Sequence, residues 1–370
     1  MARPGKDTAE HPTPHKRPKP RLWGRGPEEY RAGGSDRPSR RPPLPVAWWL
    51  GLLAVTGCAP ALQPMGPPIR PPALVDGFAI AADGYILPMR RWRPAPGTPE
   101  KAVIVALHGF NDYSNAFATV GPRFAEAGIV TYAYDQRGFG ASAGRGIWPG
   151  SSTLVADLGT VSGLVRQRHP GMPLYLLGES MGGAVVMTAL TAPSPPEGVA
   201  GTILVAPAVW GFDTMGPLPR AALWLTNSLV PGVTLTAPRE LKIRPSDNIE
   251  MLKGLGADPL VIKATRADTI HGLVGLMGEA LAAAPQFQMP GLVLYGVHEQ
   301  VLPYVAIARL LTALPRGRQR VGIYRDGWHM LLRDRHAGVV IGDILSWLNN
   351  PLAPLPSGAD QLSRTRIFEQ

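Results

Sequence analysis

Leu174-Tyr-Leu-Leu-Gly178-Glu-Ser180-Met-Gly182-Gly183 is the stretch on which the reading of this chain turns. Its first four apolar residues have the length and composition of a buried strand, and a helix-forming run to Leu190 follows Gly183. Between them stands a serine. A serine hydroxyl is a poor nucleophile in a relaxed loop. At a tight strand-to-helix turn its oxygen stands clear, and the helix N-terminus favours negative charge. Gly178 and Gly182 let the backbone turn that sharply without a Cβ clash.

The G-x-S-x-G pattern is weak by itself. With 43 Gly and 14 Ser in 370 residues, chance predicts roughly 0.2 matches. A second match, Gly140-Ala-Ser142-Ala-Gly144, lies in a Gly-rich loop with no strand directly before it and no helix directly after. Context therefore selects Ser180 and assigns Ser142 to a structural turn.

Working outward, strands and helices alternate from about residue 75 to 350, the pattern of an α/β sheet. Phe78–Ile80 and Met89–Trp92 flank the turn Asp83-Gly84 as a hairpin. Strands are predicted at 102–107, 130–134, 174–177, 202–206, 291–295 and 320–324. Helices are predicted at 116–127, 154–168, 183–190, 304–313 and 336–348. Residues 208–285 separate two strands by more than a plain crossover needs and read as an inserted helical cap. Its apolar segment Leu218–Leu225 is expected mostly to pack as core, with Trp224 the candidate for an acyl pocket.

A serine nucleophile needs a base, and histidine titrates near neutrality. Of eight histidines, His329 directly follows the final strand in Arg325-Asp-Gly-Trp-His329 and has the expected chain order. The acid that orients it should follow the preceding strand, where Leu292-Val-Leu-Tyr-Gly296-Val-His-Glu299 offers Glu299, with Asp213 in reserve. An oxyanion needs preorganised donors. The Met181 N–H at the helix start is one, and His108-Gly109-Phe110, after strand 102–107, supplies the Phe110 N–H as the other.

The formal charge of +10 first suggests a polyanion partner. Of that excess, +6 lies in residues 1–45, a Pro-, Gly- and Arg-rich stretch read as a disordered tail. The remainder is ordinary for its length, so nucleic acid is not an expected partner. A lone cysteine excludes an internal disulfide framework and a Cys-based zinc cluster. That residue, Cys58, ends Val55-Thr-Gly-Cys58 after the apolar run Val46–Val55, which is about half the ~20 residues of a membrane-spanning helix. Residues 46–58 resemble the signal and lipobox of bacterial lipoproteins. The resemblance implies lipidation of Cys58, a membrane anchor and a cell-envelope location. Residues 59–75, with Pro60, Pro64, Pro67, Pro68, Pro71 and Pro72, read as an extended spacer holding the domain off the membrane. Residues 351–370 read as a second disordered tail.

Together, His108-Gly109-Phe110, Asp135-Gln-Arg-Gly138-Phe-Gly140, Gly178-Glu-Ser-Met-Gly-Gly183, Val205-Ala-Pro207, Gly296-x-x-Glu299-x-x-x-Pro303 and His329 resemble the α/β-hydrolase superfamily. The branch is that of monoacylglycerol lipases and lysophospholipases, also called serine aminopeptidase-like. The resemblance spans roughly residues 76–349, within a domain read as 76–350. It implies a mostly parallel eight-stranded sheet flanked by helices, a helical cap after the sixth strand, and ester hydrolysis by Ser180, Glu299 and His329 without metal or cofactor. The expected substrate is a small acyl ester of amphiphilic kind. The acid is Glu where relatives usually carry Asp, and Phe110-Asn-Asp-Tyr-Ser114 departs from the usual lipase wording. The same residues leave open amide hydrolysis, acyl transfer, or a membrane-anchored scaffold without catalysis.

Overall fold

A computed structural model describes residues 59–236 and 243–361. The basic tail, the apolar run, Cys58 and residues 362–370 lie outside the described residues. The chain enters through β1 (Ala73–Val75), β2 (Phe78–Ile80) and β3 (Ile86–Trp92). Then β4 (Ala102–Leu107), α1 (Val120–Glu126), β5 (Ile129–Tyr134), α2 (Ser151–Arg168), β6 (Leu174–Glu179), α3 (Met181–Thr191) and β7 (Val199–Val205) alternate. The cap holds α4 (Pro217–Leu229), β8 (Thr234–Leu235), α5 (Ile249–Ala257), β9 (Thr265–Arg266) and α6 (Ala267–Ala283). The chain rejoins the sheet at β10 (Gly291–Gly296), followed by α7 (Tyr304–Ala313), β11 (Gln319–Tyr324) and α8 (Ala337–Asn349).

The sheet runs β1-β2-β3-β5-β4-β6-β7-β10-β11. From β5 to β11 all pairs are parallel, and β1, β2 and β3 join antiparallel. The strands β4, β5 and β10 are buried at every residue. Helices cover both faces of a parallel sheet, so such strands are apolar without alternation. One core cluster joins the sheet to Leu158 of α2, Val185 of α3 and Leu310 of α7. The other joins it to Phe124 of α1 and Ile344 and Trp347 of α8.

The sheet has nine described strands rather than eight. The addition is β1, whose three residues pair with β2 from Ala73↔Ile80 to Val75↔Phe78. The cap therefore follows the seventh strand in chain order. The helix expected over 116–127 is divided into a 3-10 turn at Ser114–Phe117 and α1. Pro122 sits in the first turn of α1, where its missing N–H loses nothing but its ring stops a helix arriving from further upstream.

Two terminal segments differ from expectation. Residues 59–72 are extended, but they do not stand free of the domain. The Ala61 N–H donates to Asp268 Oδ2 (2.9 Å), Gln63 N–H to the Trp148 carbonyl (2.9 Å), and Met65 N–H to Thr153 Oγ1 (3.1 Å). Proline supplies the extended backbone, and its neighbours' N–H groups find acceptors on the domain. Residues 351–361 also pack rather than forming a free tail. Leu355 and Ala359 are buried, Asp360 pairs with Arg320, and Ser357 N–H donates to Asp343 Oδ1 (3.1 Å).

The cap helix α4 carries no fully buried residue: Leu223 is half-buried against the core, and the other large apolar side chains are exposed. Trp224 is 61% exposed, and Leu218 is 82% exposed.

Candidate active site

Ser180 caps the N-terminus of α3 at φ 52°, ψ −114°. This left-handed φ is strained for a non-glycine residue and costs on the order of 1–3 kcal/mol. The surroundings enforce it. A Cβ on Gly178 would lie 2.5 Å from the Gly182 carbonyl oxygen, and one on Gly182 would lie 2.2 Å from that of Leu107. The elbow is thus pressed against the central strand β4. The Ser180 N–H donates to the Val205 carbonyl of β7 at 2.9 Å, which fixes the turn from the other side.

Loops after β10 and β11 bring the partners in. The Val297 N–H donates to the Tyr324 carbonyl and the His298 N–H to that of Gly327, each at 2.9 Å, so the two loops are tied together. His329 Nε2 lies 3.0 Å from Ser180 Oγ, and His329 Nδ1 lies 2.7 Å from Glu299 Oε2. The other Glu299 oxygen accepts the N–H groups of Val301 (2.7 Å) and Leu302 (3.1 Å). Glu299 can therefore accept a proton-bearing Nδ1, which leaves Nε2 with a lone pair towards the serine.

Electrostatics reinforce this arrangement. Burial disfavours the cationic ring, but the Glu299 charge and hydrogen bond outweigh it, and His329 is held above its ordinary pKa of 6.5. Burial likewise opposes ionisation of Glu299, yet the imidazole and two backbone N–H donors hold its carboxyl below the usual range.

The Phe110 loop follows β4 and passes against the serine. Among the described residues, the N–H groups of Phe110 and Met181 have no acceptor. His108 is buried and does not reach the serine. Its Nε2 accepts the Gln136 N–H (3.0 Å), its Nδ1 lies 2.8 Å from the Gly109 carbonyl, and burial lowers its pKa. It is a neutral brace for the loop. The alternative serine, Ser142, donates to the Phe139 carbonyl (2.7 Å) and accepts the Phe139 N–H (3.0 Å) within its own turn. Asp213 is exposed, and the Nδ1 partner of His329 is Glu299 instead.

Ser180 and His329 open into a cavity of about 530 Å³ whose far walls are apolar: Met215, Leu223, Leu273, Val274 and Met277 from the cap side, and Leu302. Trp224 is not among the lining residues. It faces a separate depression with Phe212 and His271. Sequence reasoning missed Asp112, Glu179 and Arg333, which form a buried ionic cluster beside the serine. The available signal was Glu179 inside the serine motif and a charged Arg333 directly after Leu331-Leu332. Among the described residues no group of His, Cys, Asp and Glu side chains is arranged to hold a metal.

Residues 98–336 match the serine aminopeptidase S33 family. A monoacylglycerol lipase of Mycolicibacterium smegmatis is 28% identical over 265 residues, covering 68% of this chain and 90% of that protein. The Homo sapiens monoglyceride lipase is 27% identical over 69% of this chain and 83% of its own length. Among solved structures, a soluble variant of the Saccharomyces cerevisiae monoglyceride lipase superposes with a TM-score of 0.64 at 18% identity. It covers 79% of this chain and 98% of that one. The matched region holds β4 through the histidine loop, and the chain belongs to the serine aminopeptidase S33 family of α/β-hydrolases.

Proposed function

We propose that the protein hydrolyses carboxylic esters of amphiphilic acyl substrates, of the monoacylglycerol or lysophospholipid kind, through a serine-bound acyl intermediate. Ser180 Oγ attacks the acyl carbonyl while His329 Nε2 takes its proton. Glu299 holds the ring and stabilises its cation. The Phe110 and Met181 amides receive the oxyanion, and the imidazolium then protonates the departing alcohol. Water, deprotonated by His329, releases the acid and restores the serine. The observation that carries this reading is the unbroken chain from Ser180 Oγ through His329 to Glu299 at the mouth of an apolar cavity.

The named activity of the relatives supports an ester substrate of the monoacylglycerol kind. Amide hydrolysis is the weaker reading. A free amino terminus would need an available carboxylate, and the two carboxylates beside the serine are already paired with Arg333. The exposed Leu218, Trp224 and Leu229 of α4 support a substrate met at a lipid surface, and a lipid on Cys58 would keep the enzyme there.

A fluorophosphonate probe should label the protein, and Ser180→Ala should abolish labelling. Nitrophenyl esters of increasing chain length should be cleaved, and aminoacyl anilides should not. Preferential cleavage of the anilides would overturn the ester reading. Cys58→Ser should move the protein from the membrane to the soluble fraction, and retention would refute the anchor.

A further inference from the structure

Three charged side chains at the polar end of the cavity take no part in the proton transfers above. Arg333 Nη1 donates to Asp112 Oδ2 at 2.7 Å, and Nη2 donates to the Glu179 carboxylate oxygens at 3.1 and 3.2 Å. All three side chains are at least nine-tenths buried. Each sits on a different piece of the site. Asp112 lies two residues beyond the Phe110 amide, Glu179 immediately before Ser180, and Arg333 four residues beyond His329.

We infer that Arg333 is a positioning residue, whose guanidinium holds the oxyanion loop, the serine elbow and the histidine loop in catalytic register. The inference rests on the hydrolase reading. A buried ionic group is a costly way to obtain stability alone, because desolvation offsets most of the attraction and apolar packing would serve as well. What a guanidinium adds is geometry. It is planar and rigid, and it bridges two carboxylates at fixed angles. Catalysis needs that precision, since misplacement of reacting groups by about 1 Å can cost about a hundredfold in rate.

The cluster also sets the charge that His329 faces. The groups acting on the imidazole are Glu299 from the loop after β10, Glu179 from the elbow, and Arg333 from the histidine's own segment. Both carboxylates favour the cation, and the guanidinium opposes it. Loss of the Arg333 charge therefore leaves His329 more basic, and loss of the Glu179 charge leaves it less basic. These shifts follow from charge alone, so the positioning role is read from kcat, above all in Arg333→Lys, which keeps the charge but not the bidentate geometry.

The test compares Arg333→Lys, Arg333→Met, Glu179→Gln and the uncharged triple variant Arg333→Met/Asp112→Asn/Glu179→Gln with the wild type. Thermal melting, fluorophosphonate labelling, and kcat and KM on a short nitrophenyl ester across pH are the readouts. Arg333→Lys should keep the fold and lose about 10- to 100-fold in kcat with KM nearly unchanged. The acidic limb of kcat/KM should move up in Arg333→Met and down in Glu179→Gln, by roughly half a pH unit or more. The triple variant leaves no buried charge unpaired, so it should fold even if Arg333→Met does not, and its kcat should remain low. Wild-type kcat in Arg333→Lys or in the triple variant would overturn the inference, as would a limb that fails to move down in Glu179→Gln. Absence of labelling in the wild type would overturn the hydrolase reading and this inference with it, whereas wild-type labelling rates in the variants would overturn the inference alone.

Discussion

Glu299→Gln separates a histidine that is merely held from one held in a particular protonation state. The native carboxylate accepts three hydrogen bonds: His329 Nδ1 on one oxygen, and the Val301 and Leu302 N–H groups on the other. An amide has one oxygen and one NH2, so it cannot satisfy all three. If its NH2 faced Val301 and Leu302, a part-buried and a fully buried N–H would lose their acceptor, at about 1–3 kcal/mol for the buried one. The oxygen therefore stays with the backbone, and the NH2 turns to Nδ1. The neutral ring must then carry its proton on Nε2, which presents a donor to Ser180 Oγ where an acceptor is needed. The expected loss in kcat is about 10³- to 10⁴-fold, equal to about 4–5.5 kcal/mol on the barrier. KM should hold, because Glu299 does not line the cavity. The acidic limb of the residual activity should also fall. Glu299 holds His329 above its ordinary pKa in the native protein, so wild-type kcat/KM should rise through a higher apparent pKa than the variant's. Steady-state ester hydrolysis across pH, with a melting curve for each protein, supplies the data. A folded variant that keeps kcat within tenfold of wild type would refute the reasoning.

Other substitutions probe the frame around the site. Gly182→Ala places a methyl 2.2 Å from the Leu107 carbonyl oxygen of a central strand, which cannot move aside. Urea denaturation should show a loss of about 3 kcal/mol or more, or no soluble protein. Burial raises the Asp334 carboxyl to about 6 from 3.8. The folded state thus binds this proton more tightly than the unfolded one, so the group's contribution to stability falls as pH rises from about 4 to 6. In Asp334→Asn the amide oxygen can still accept the Trp328 N–H, and its NH2 can donate to the Ser246 hydroxyl, both partners of the native carboxylate. The variant's Tm relative to wild type should be higher at pH 7.5 than at pH 4, and a constant difference would contradict the assignment. A chain beginning at Pro67 lacks the hydrogen bonds of Ala61, Gln63, Met65 and Gly66 to the domain. Against one beginning at Ala59, it should be less stable by about 2–4 kcal/mol in a urea melt.

The elements that the sequence made legible are those whose information is local. The run Ala102–Leu107 is apolar at every position because both faces of its sheet are covered, and its shortness and β-branched content favour a strand over a buried helix segment. The serine elbow was legible because glycine at 178 and 182 is a local answer to a local clash. Glu299 and His329 were legible by chain order, each on the loop after a late strand. Arg333 was not, because its partners lie 221 and 154 positions away, and only the tertiary fold shows that this charge is buried and paired. The Pro-rich segment after Cys58 misleads for a related reason. Composition specifies an extended backbone, but whether its N–H groups point to water or to Asp268 depends on a surface assembled from distant parts. The apolar α4 misleads in the opposite sense, since residues that ordinarily mark a core lie exposed on the outside of the cap.

The cap is bonded to the two loops on which the chemistry depends, as well as roofing the cavity. On one side the Ile262 N–H donates to the Asn111 carbonyl (2.9 Å), Asn111 Nδ2 to Thr265 Oγ1 (2.7 Å), and Tyr113 OH to Asp258 Oδ2 (2.7 Å), so the stretch directly after Phe110 is held by cap residues. On the other, the Met330 N–H donates to the Pro245 carbonyl and Asn248 Nδ2 to the Arg333 carbonyl, each at 3.0 Å. Asn111 shows what the first set achieves. It sits at φ 64°, a left-handed conformation that asparagine tolerates better than most residues but that still needs outside support. The Ile262 and Thr265 bonds supply it. The walls that contact an acyl chain and the loops that place the Phe110 amide and the His329 ring therefore belong to one hydrogen-bonded body. Substitutions in the cap that break these bonds should reduce kcat as well as raise KM, whereas trimming an apolar wall such as Leu223 should act on KM first.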